Sequence, residues 1–326
     1  MNFKQLALSF LLGACALSAS AQIRTLEFGF QSDNDSFLAQ GSDRYYTNGL
    51  FIYYRRGMEI KTNGKLVNKV LGIEVGQKIF NPISGSINDA NNRPQPSFID
   101  RPFAGYLYAG ATLNLLYRNE SNFKIGAQVG VVGPAAKGKQ AQQVIHDTFG
   151  FYELSGWEYQ IRNTPVINLS LDYNRLLLRN QWADLTAFAY VNAGTAFNNA
   201  GIGPMVRLGN FNQLFNSYST QSTATRNAIA PLHKRELFFY YKPMINVVVY
   251  DATIQGALIN KKDDAGSMEI TSEPKPLMLS HQIGVGFSGK RVNLGFEVAV
   301  HSRDVKTQRY STHQWGSLNV AYRFGK

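Results

Sequence analysis

Cysteine is nearly absent from this sequence: Cys15 is the single one in 326 residues, so no intrachain disulfide can staple the fold. Charge is sparse as well, at 17% of residues, below what a soluble domain usually carries. Beyond Gln22 there is no apolar run of about 18 residues, which excludes a membrane-spanning helix. The sequence also lacks a G-x-S-x-G nucleophile elbow, an H-E-x-x-H helix and paired cysteines. These absences remove the commonest serine-hydrolase and zinc-site signatures.

What is present is aromatic and exported in character. There are 17 Tyr and 21 Phe, and mean hydropathy is −0.21, a balance that suits a protein with one face to lipid and another to water. A soluble β-sandwich has the same composition. Met1-Asn2-Phe3-Lys4, the apolar stretch from Leu6 to Leu17, and Ala19-Ser20-Ala21 before Gln22 read as a secretory signal peptide over 1–21. Leu12-Gly13-Ala14-Cys15 resembles a lipoprotein cleavage box, but a better small-x-small site follows it. An exported chain without a spanning helix is either soluble or a closed barrel. The formal charge of +11, or +10 once Lys4 is removed, favours an anionic partner such as a phosphorylated glycolipid; solvated Lys and Arg side chains would give the same count.

Alternation at period two organises the rest. Ile167, Leu169, Leu171 and Tyr173 alternate with Asn168, Ser170, Asp172 and Asn174, and Val292, Leu294, Phe296 and Val298 alternate with Asn293, Gly295, Glu297 and Ala299. Strands are expected near 24–32, 46–56, 69–79, 105–117, 122–132, 165–175, 183–195, 200–210, 242–257, 278–289, 291–302 and 313–324. The expectation is an all-β transmembrane antiparallel barrel of about 12 strands over 22–326. The terminal aromatic run ending at Phe324 favours it over a sandwich. Connections 57–68, 118–121 and 176–182 would then face the periplasm, and the longer 33–45, 80–104 and 133–164 would face outward. Segment 211–235 is long yet falls on the periplasmic side, and its Ser, Thr, Asn and Gln content reads as a mobile insertion or a slip in the strand count.

Three outward clusters could do chemistry. Asp33-Asn34-Asp35, followed by Asp43-Arg44-Tyr45-Tyr46-Thr47, offers oxygen ligands suited to calcium, although such residues also make ordinary turns. Arg101, at the mouth of a strand, could fork onto a phosphate or pair with Asp100. Lys139 to Glu153 reads as a short helix placing Gln142, His146 and Glu153 on one face, where a histidine could act as general base. His233, His281, His301 and His313 have no comparable company.

Asn34-Asp35-x-Phe37, Tyr46-Thr47-x-Gly49, and Gly133-Pro134 leading to His146 and Gly156-Trp157-x-x-Gln160-Ile161 resemble the outer-membrane lipid A 3'-O-deacylases. The resemblance implies a twelve-stranded barrel and a calcium-dependent hydrolase that removes the 3'-linked acyloxyacyl group of lipid A in lipopolysaccharide. It implies His146 as base, Asn34 and Asp35 as the polar pair beside it, and Thr47 on the facing strand. Arg101 and Gln142 are then expected at the substrate, and Asp35 with Glu153 at Ca2+. A monomer is expected, with no nucleic-acid partner. The family's lysine near the second outward loop has no match here, and Tyr152 stands at the spacing of its acidic residue, with Glu153 next to it. A channel or structural barrel, a phospholipase using Ser36 or Ser42, and a soluble periplasmic sandwich are the alternatives.

Overall fold

The computed structural model describes residues 24–39, 43–60, 64–259 and 266–325. The signal peptide and Cys15 lie outside them. Twelve strands run in chain order: β1 (Leu26–Asn34), β2 (Tyr46–Gly57), β3 (Leu66–Phe80), β4 (Ala104–Tyr117), β5 (Ser121–Val132), β6 (Thr164–Arg179), β7 (Ala183–Gly194), β8 (Phe197–Asn210), β9 (Glu236–Asp251), β10 (Leu277–Ser288), β11 (Val292–Ser302) and β12 (Thr312–Phe324). Each pairs antiparallel with its neighbours, and β1 pairs with β12 from Leu26↔Phe324 to Asn34↔Gly316, so the sheet closes with no free edge. Among the described residues two α-helices sit outside it, α1 (Gly138–Phe149) and α2 (Ala252–Gln255).

The direction of the alternation separates a membrane barrel from a sandwich. Ile167 is 63% exposed and Leu169 61%, while Asn168 between them is 4% exposed and bonds the backbone around Phe197 inside. Apolar side chains face out and polar ones in, as a lipid-embedded barrel requires and a sandwich does not. The chain is an outer-membrane barrel.

One strand is displaced from its expected position. β9 starts at Glu236, six residues before the expected 242. Phe238 and Tyr240 point inward there, Phe238 over the Arg207 guanidinium and Tyr240 donating to Glu297 Oε2 at 2.7 Å. Inward aromatics erase the apolar–polar contrast that marks a strand. At the other end, 252–255 form α2 instead, its first turn capped by Asp251.

Segment 211–235 is the larger correction. It joins β8 to β9 at the end that carries both termini, as expected, but it packs into the lumen. Asn68 donates to the carbonyls of Phe215 and Ser222, Asn114 to Thr220, and Arg323 to Thr223, while Thr223 donates to Glu27. These partners stand on β3, β4, β12 and β1. Arg207 and Glu236, from the strands that flank the segment, hold it through Ser217, Ser219, Asn212 and the amide of Tyr218. Its Ser, Thr and Asn side chains thus satisfy buried lumen groups rather than bulk water. The lumen keeps a polar cavity of about 190 Å³ lined by Arg55, Glu74, Lys124, Asp172 and Gln221.

Candidate functional site

At the opposite end, β1 and β2 deliver the first half of the site. Asn34 ends β1 and caps a 3-10 turn, Asp35–Leu38, by accepting from Ser36 N at 2.7 Å; its amide donates to Asn48 Oδ1. Asp35 is buried by that turn. The β2–β3 register shifts between Tyr46 and Asn48, and this irregularity frees Thr47 from the ladder, so Tyr46, Thr47 and Asn48 are all buried instead of alternating. Thr47 Oγ1 donates to Asp43 Oδ1 at 2.9 Å and lies 3.5 Å from Asp35 Oδ1.

Asp43 holds a left-handed backbone, φ +44°, and so does Tyr45 at +62°. Neither residue favours that region, so the surroundings must impose it. Asn81 donates to Asp43 O, Asn81 N bonds Tyr45 O, Tyr45 N bonds Pro82 O, and Tyr45 Oη donates to Asp100 Oδ2 at 2.7 Å. The strained turn aims Asp43 at α1.

α1 supplies the second half. It lies close on the rim because Gly138 meets Gly105: a Cβ on Gly138 would come within 2.9 Å of Gly105 Cα. Trp157, Phe103, Ile79 and Ile87 pack beneath it. Gln142 and His146 face inward one turn apart, 0% and 2% exposed. The helix ends at Gly150, φ +69°, and the chain turns so that the Tyr152 carbonyl meets His146 Nδ1 at 2.7 Å. This carbonyl can only accept, so Nδ1 carries a proton. His146 Nε2 lies 2.8 Å from Asp43 Oδ2, within ion-pair reach but at an angle that leaves Nε2 without an aligned hydrogen bond. The Tyr152 ring stands perpendicular to the imidazole at 4.8 Å, and its hydroxyl donates to Asp43 Oδ2 at 2.6 Å while accepting from Gly85 N at 3.1 Å. Burial, then the charge of Asp43, raises the Tyr152 phenol above its ordinary value, so it remains a donor at neutral pH.

The structure therefore brings Asn34, Asp35, Thr47, Gln142 and His146 into one continuous cluster. Glu153 is not in it. The left-handed Gly150 ends the helix before the seven-residue spacing can act, and Glu153 is exposed beyond that turn. Arg101 is also elsewhere: 1% exposed, it pairs with Asp304 at 3.4 Å, donates to Pro102 O and Thr253 Oγ1, and stacks 4.3 Å over Phe80. It ties three outward loops together and offers no open fork. Asp43, read from the sequence as part of a calcium-suited cluster, and Tyr152, noted there only at the spacing of the family's acidic residue, occupy the places beside the histidine. Only the D-x-x-x-T spacing hinted at Asp43. His301 and His313 do have company, in a ring ladder with Trp315 and Tyr45. Ser36 is not among the partners of His146, and Ser42 lies outside the described residues.

The model of the family described as "Outer membrane protein LpxR" matches residues 6–324. The chain belongs to the LpxR family. Its barrel superposes on LpxR from Salmonella typhimurium with TM-score 0.70 at 19% identity, covering 91% of this chain and 100% of that one. The β domain of the Bordetella autotransporter BrkA matches at TM-score 0.43 and 12% identity, covering 94% and 100%. The translocator domain of NalP from Neisseria meningitidis matches at 0.40 and 11%, covering 98% and 97%. No curated protein matches the chain by sequence comparison.

Among the described residues of this LpxR-family chain, no group of three His, Cys, Asp or Glu side chains is arranged to hold a metal. The donors beside Asp35 are the Thr47 hydroxyl and the Asn34 amide, an oxygen set whose chemistry suits a hard cation that keeps several waters.

Proposed function

We propose that the chain is an outer-membrane lipid A deacylase that hydrolyses the 3'-linked acyloxyacyl ester, with His146 as general base. The observation that carries this reading is a set of polar atoms on the buried face of α1: both amide atoms of Gln142, which have no hydrogen-bond partner, and Nε2 of His146, which lies 2.8 Å from Asp43 Oδ2 without an aligned hydrogen bond. A buried polar group without a partner costs about 1–3 kcal/mol, which a reacting ligand at this face would offset.

In the reaction, His146 Nε2 takes a proton from water as the water attacks the ester carbonyl, and returns it to the sugar oxygen as the acyl C–O bond breaks. The Tyr152 carbonyl holds the Nδ1 proton and fixes the ring. Asp43, beside Nε2, stabilises the imidazolium that forms, and Tyr152 and Thr47 hold Asp43 in place. The Gln142 amide can donate to the carbonyl oxygen as charge builds there. A calcium ion at Asp35, with Thr47 and Asn34, would supply further positive charge for that oxygen when bound; Glu153 is not part of this ligand set.

Asp43→Asn should lower kcat about 10²-fold, because a general base and its electrostatic support contribute on that scale. Tyr152→Phe, which removes one charge-assisted bond, should cost about tenfold. Both are read from acyl release by purified protein in micelles. A full rate in Asp43→Asn would remove Asp43 from the mechanism. Treatment with a chelator should stop acyl release and added Ca2+ should restore it, monitored as the mass of lipid A; activity indifferent to chelator would strike calcium out while leaving His146.

A further inference from the structure

Three cations at the outward rim are paired with carboxylates: Arg101 faces Asp304, Arg162 faces Glu269, and Lys306 faces Glu273. Among the described cations that make no ion pair, three arginines gather around Tyr310. Arg44 lies 3.9 Å over the Tyr310 ring, and Arg309 lies 5.5 Å over Phe98 with Nη2 reaching Ser97 O at 3.4 Å. Arg303 donates from Nη2 to Arg309 O at 3.3 Å, and its Nε is enclosed without a partner. Among the described residues, none of the three makes an ion pair. Of the carboxylates at this loop, Asp100 accepts from Tyr45 Oη and from the backbone N of Arg309, Asp304 pairs with Arg101, and Glu273 pairs with Lys306, so none is in ion-pair contact with the three arginines.

The three are neighbours by connected contacts. Tyr310, under Arg44, follows Arg309 in the chain, and its amide reaches Tyr45 Oη at 3.3 Å. Stacking on a ring fixes a guanidinium while leaving its N–H edge free, which is the state needed for forked recognition of a tetrahedral anion. Three guanidiniums gathered with no carboxylate in ion-pair contact attract an anion to their free edges.

We infer that Arg44, Arg303 and Arg309 form a clamp for a phosphate monoester on the headgroup of an outer-leaflet glycolipid. Arg44 follows Asp43, which touches His146, so a phosphate held there sets the headgroup beside the hydrolytic face. The location of that face rests on the proposed function; the anion site does not.

The test uses the full mature chain in detergent micelles, titrated with bis-phosphorylated lipid A, with its dephosphorylated counterpart, and with inorganic phosphate as competitor. The wild type should prefer the phosphorylated lipid about 10³-fold, about tenfold for each of the three guanidiniums. The triple variant R44Q/R303Q/R309Q should bind the two lipids equally, and each single variant should lose about tenfold of the preference. Heat-modifiable gel mobility checks that the barrels are folded, and the single variants decide the matter should the triple one not fold. A preference that survives the substitutions overturns the clamp. Inorganic phosphate competing at the concentration of the lipid also overturns it, because the site would then serve a soluble anion. A wild type that discriminates the lipids but cleaves neither would leave the clamp standing and remove the deacylase reading.

Discussion

His146→Ala is expected to insert as a normal barrel and to release acyl chains at least about 10³-fold more slowly than the wild type, a loss within the range for a general base. The ring is buried at the site, with Nδ1 held by Tyr152 O and Nε2 left as the basic atom beside Asp43. Folding should survive because α1 lies outside the barrel ladder, whose closure depends on β1 to β12. The lost Nδ1 bond to Tyr152 O is worth about 1 kcal/mol, small beside a closed ladder of twelve strands. Mass spectrometry of lipid A from expressing cells reads the chemistry, and heat-modifiable mobility reads the fold. A folded variant with normal acyl release would move the base elsewhere.

Asp184→Ala is expected to carry the largest stability effect. Arg207, fully buried on β8, donates from Nε to Asp184 Oδ1 at 3.0 Å and from Nη2 to Oδ2, and Arg179 reaches the same Oδ2 at 3.0 Å. Without Asp184 the Arg207 charge keeps no carboxylate, only Ser217, Ser219, the Asn212 carbonyl and the faces of Phe211 and Phe238. Removing one partner of a buried pair costs about 3–5 kcal/mol, because the other charge stays desolvated. Unfolding in urea from lipid vesicles should show the drop. The double variant Asp184→Leu, Arg207→Met should recover most of it, since an apolar pair carries no such penalty. If Asp184→Ala unfolded at the wild-type midpoint, the plug would owe nothing to this pair.

The same pair shows where sequence reading stops. Ser217 to Ala228 has the composition of a solvated loop, and also of a segment whose hydroxyls and amides fill a polar lumen. Nothing local separates the two, because the partners, Asn68, Asn114 and Glu27, come from strands far away in the chain. Arg101 and Glu153 were misplaced for related reasons. A guanidinium at a strand mouth reads as available until Asp304, some two hundred residues on, is found against it. Glu153 reads as sharing a face with His146 until Gly150 turns the backbone left-handed.

Sequence alone marked about twelve alternating strands, the long outward loops, and the polar stretches around Asn34, Thr47 and His146, and favoured a barrel over a sandwich. A strand in a membrane wall announces itself by a two-residue period, and that signal is local; it failed chiefly at β9, where inward Phe238 and Tyr240 masked it. Tertiary structure alone decided that Asp43 and Tyr152 flank the histidine, that Arg101 is locked away, and that 211–235 packs into the lumen. Those outcomes depend on which distant groups satisfy each buried polar atom once the sheet has closed, and no spacing along the chain encodes that.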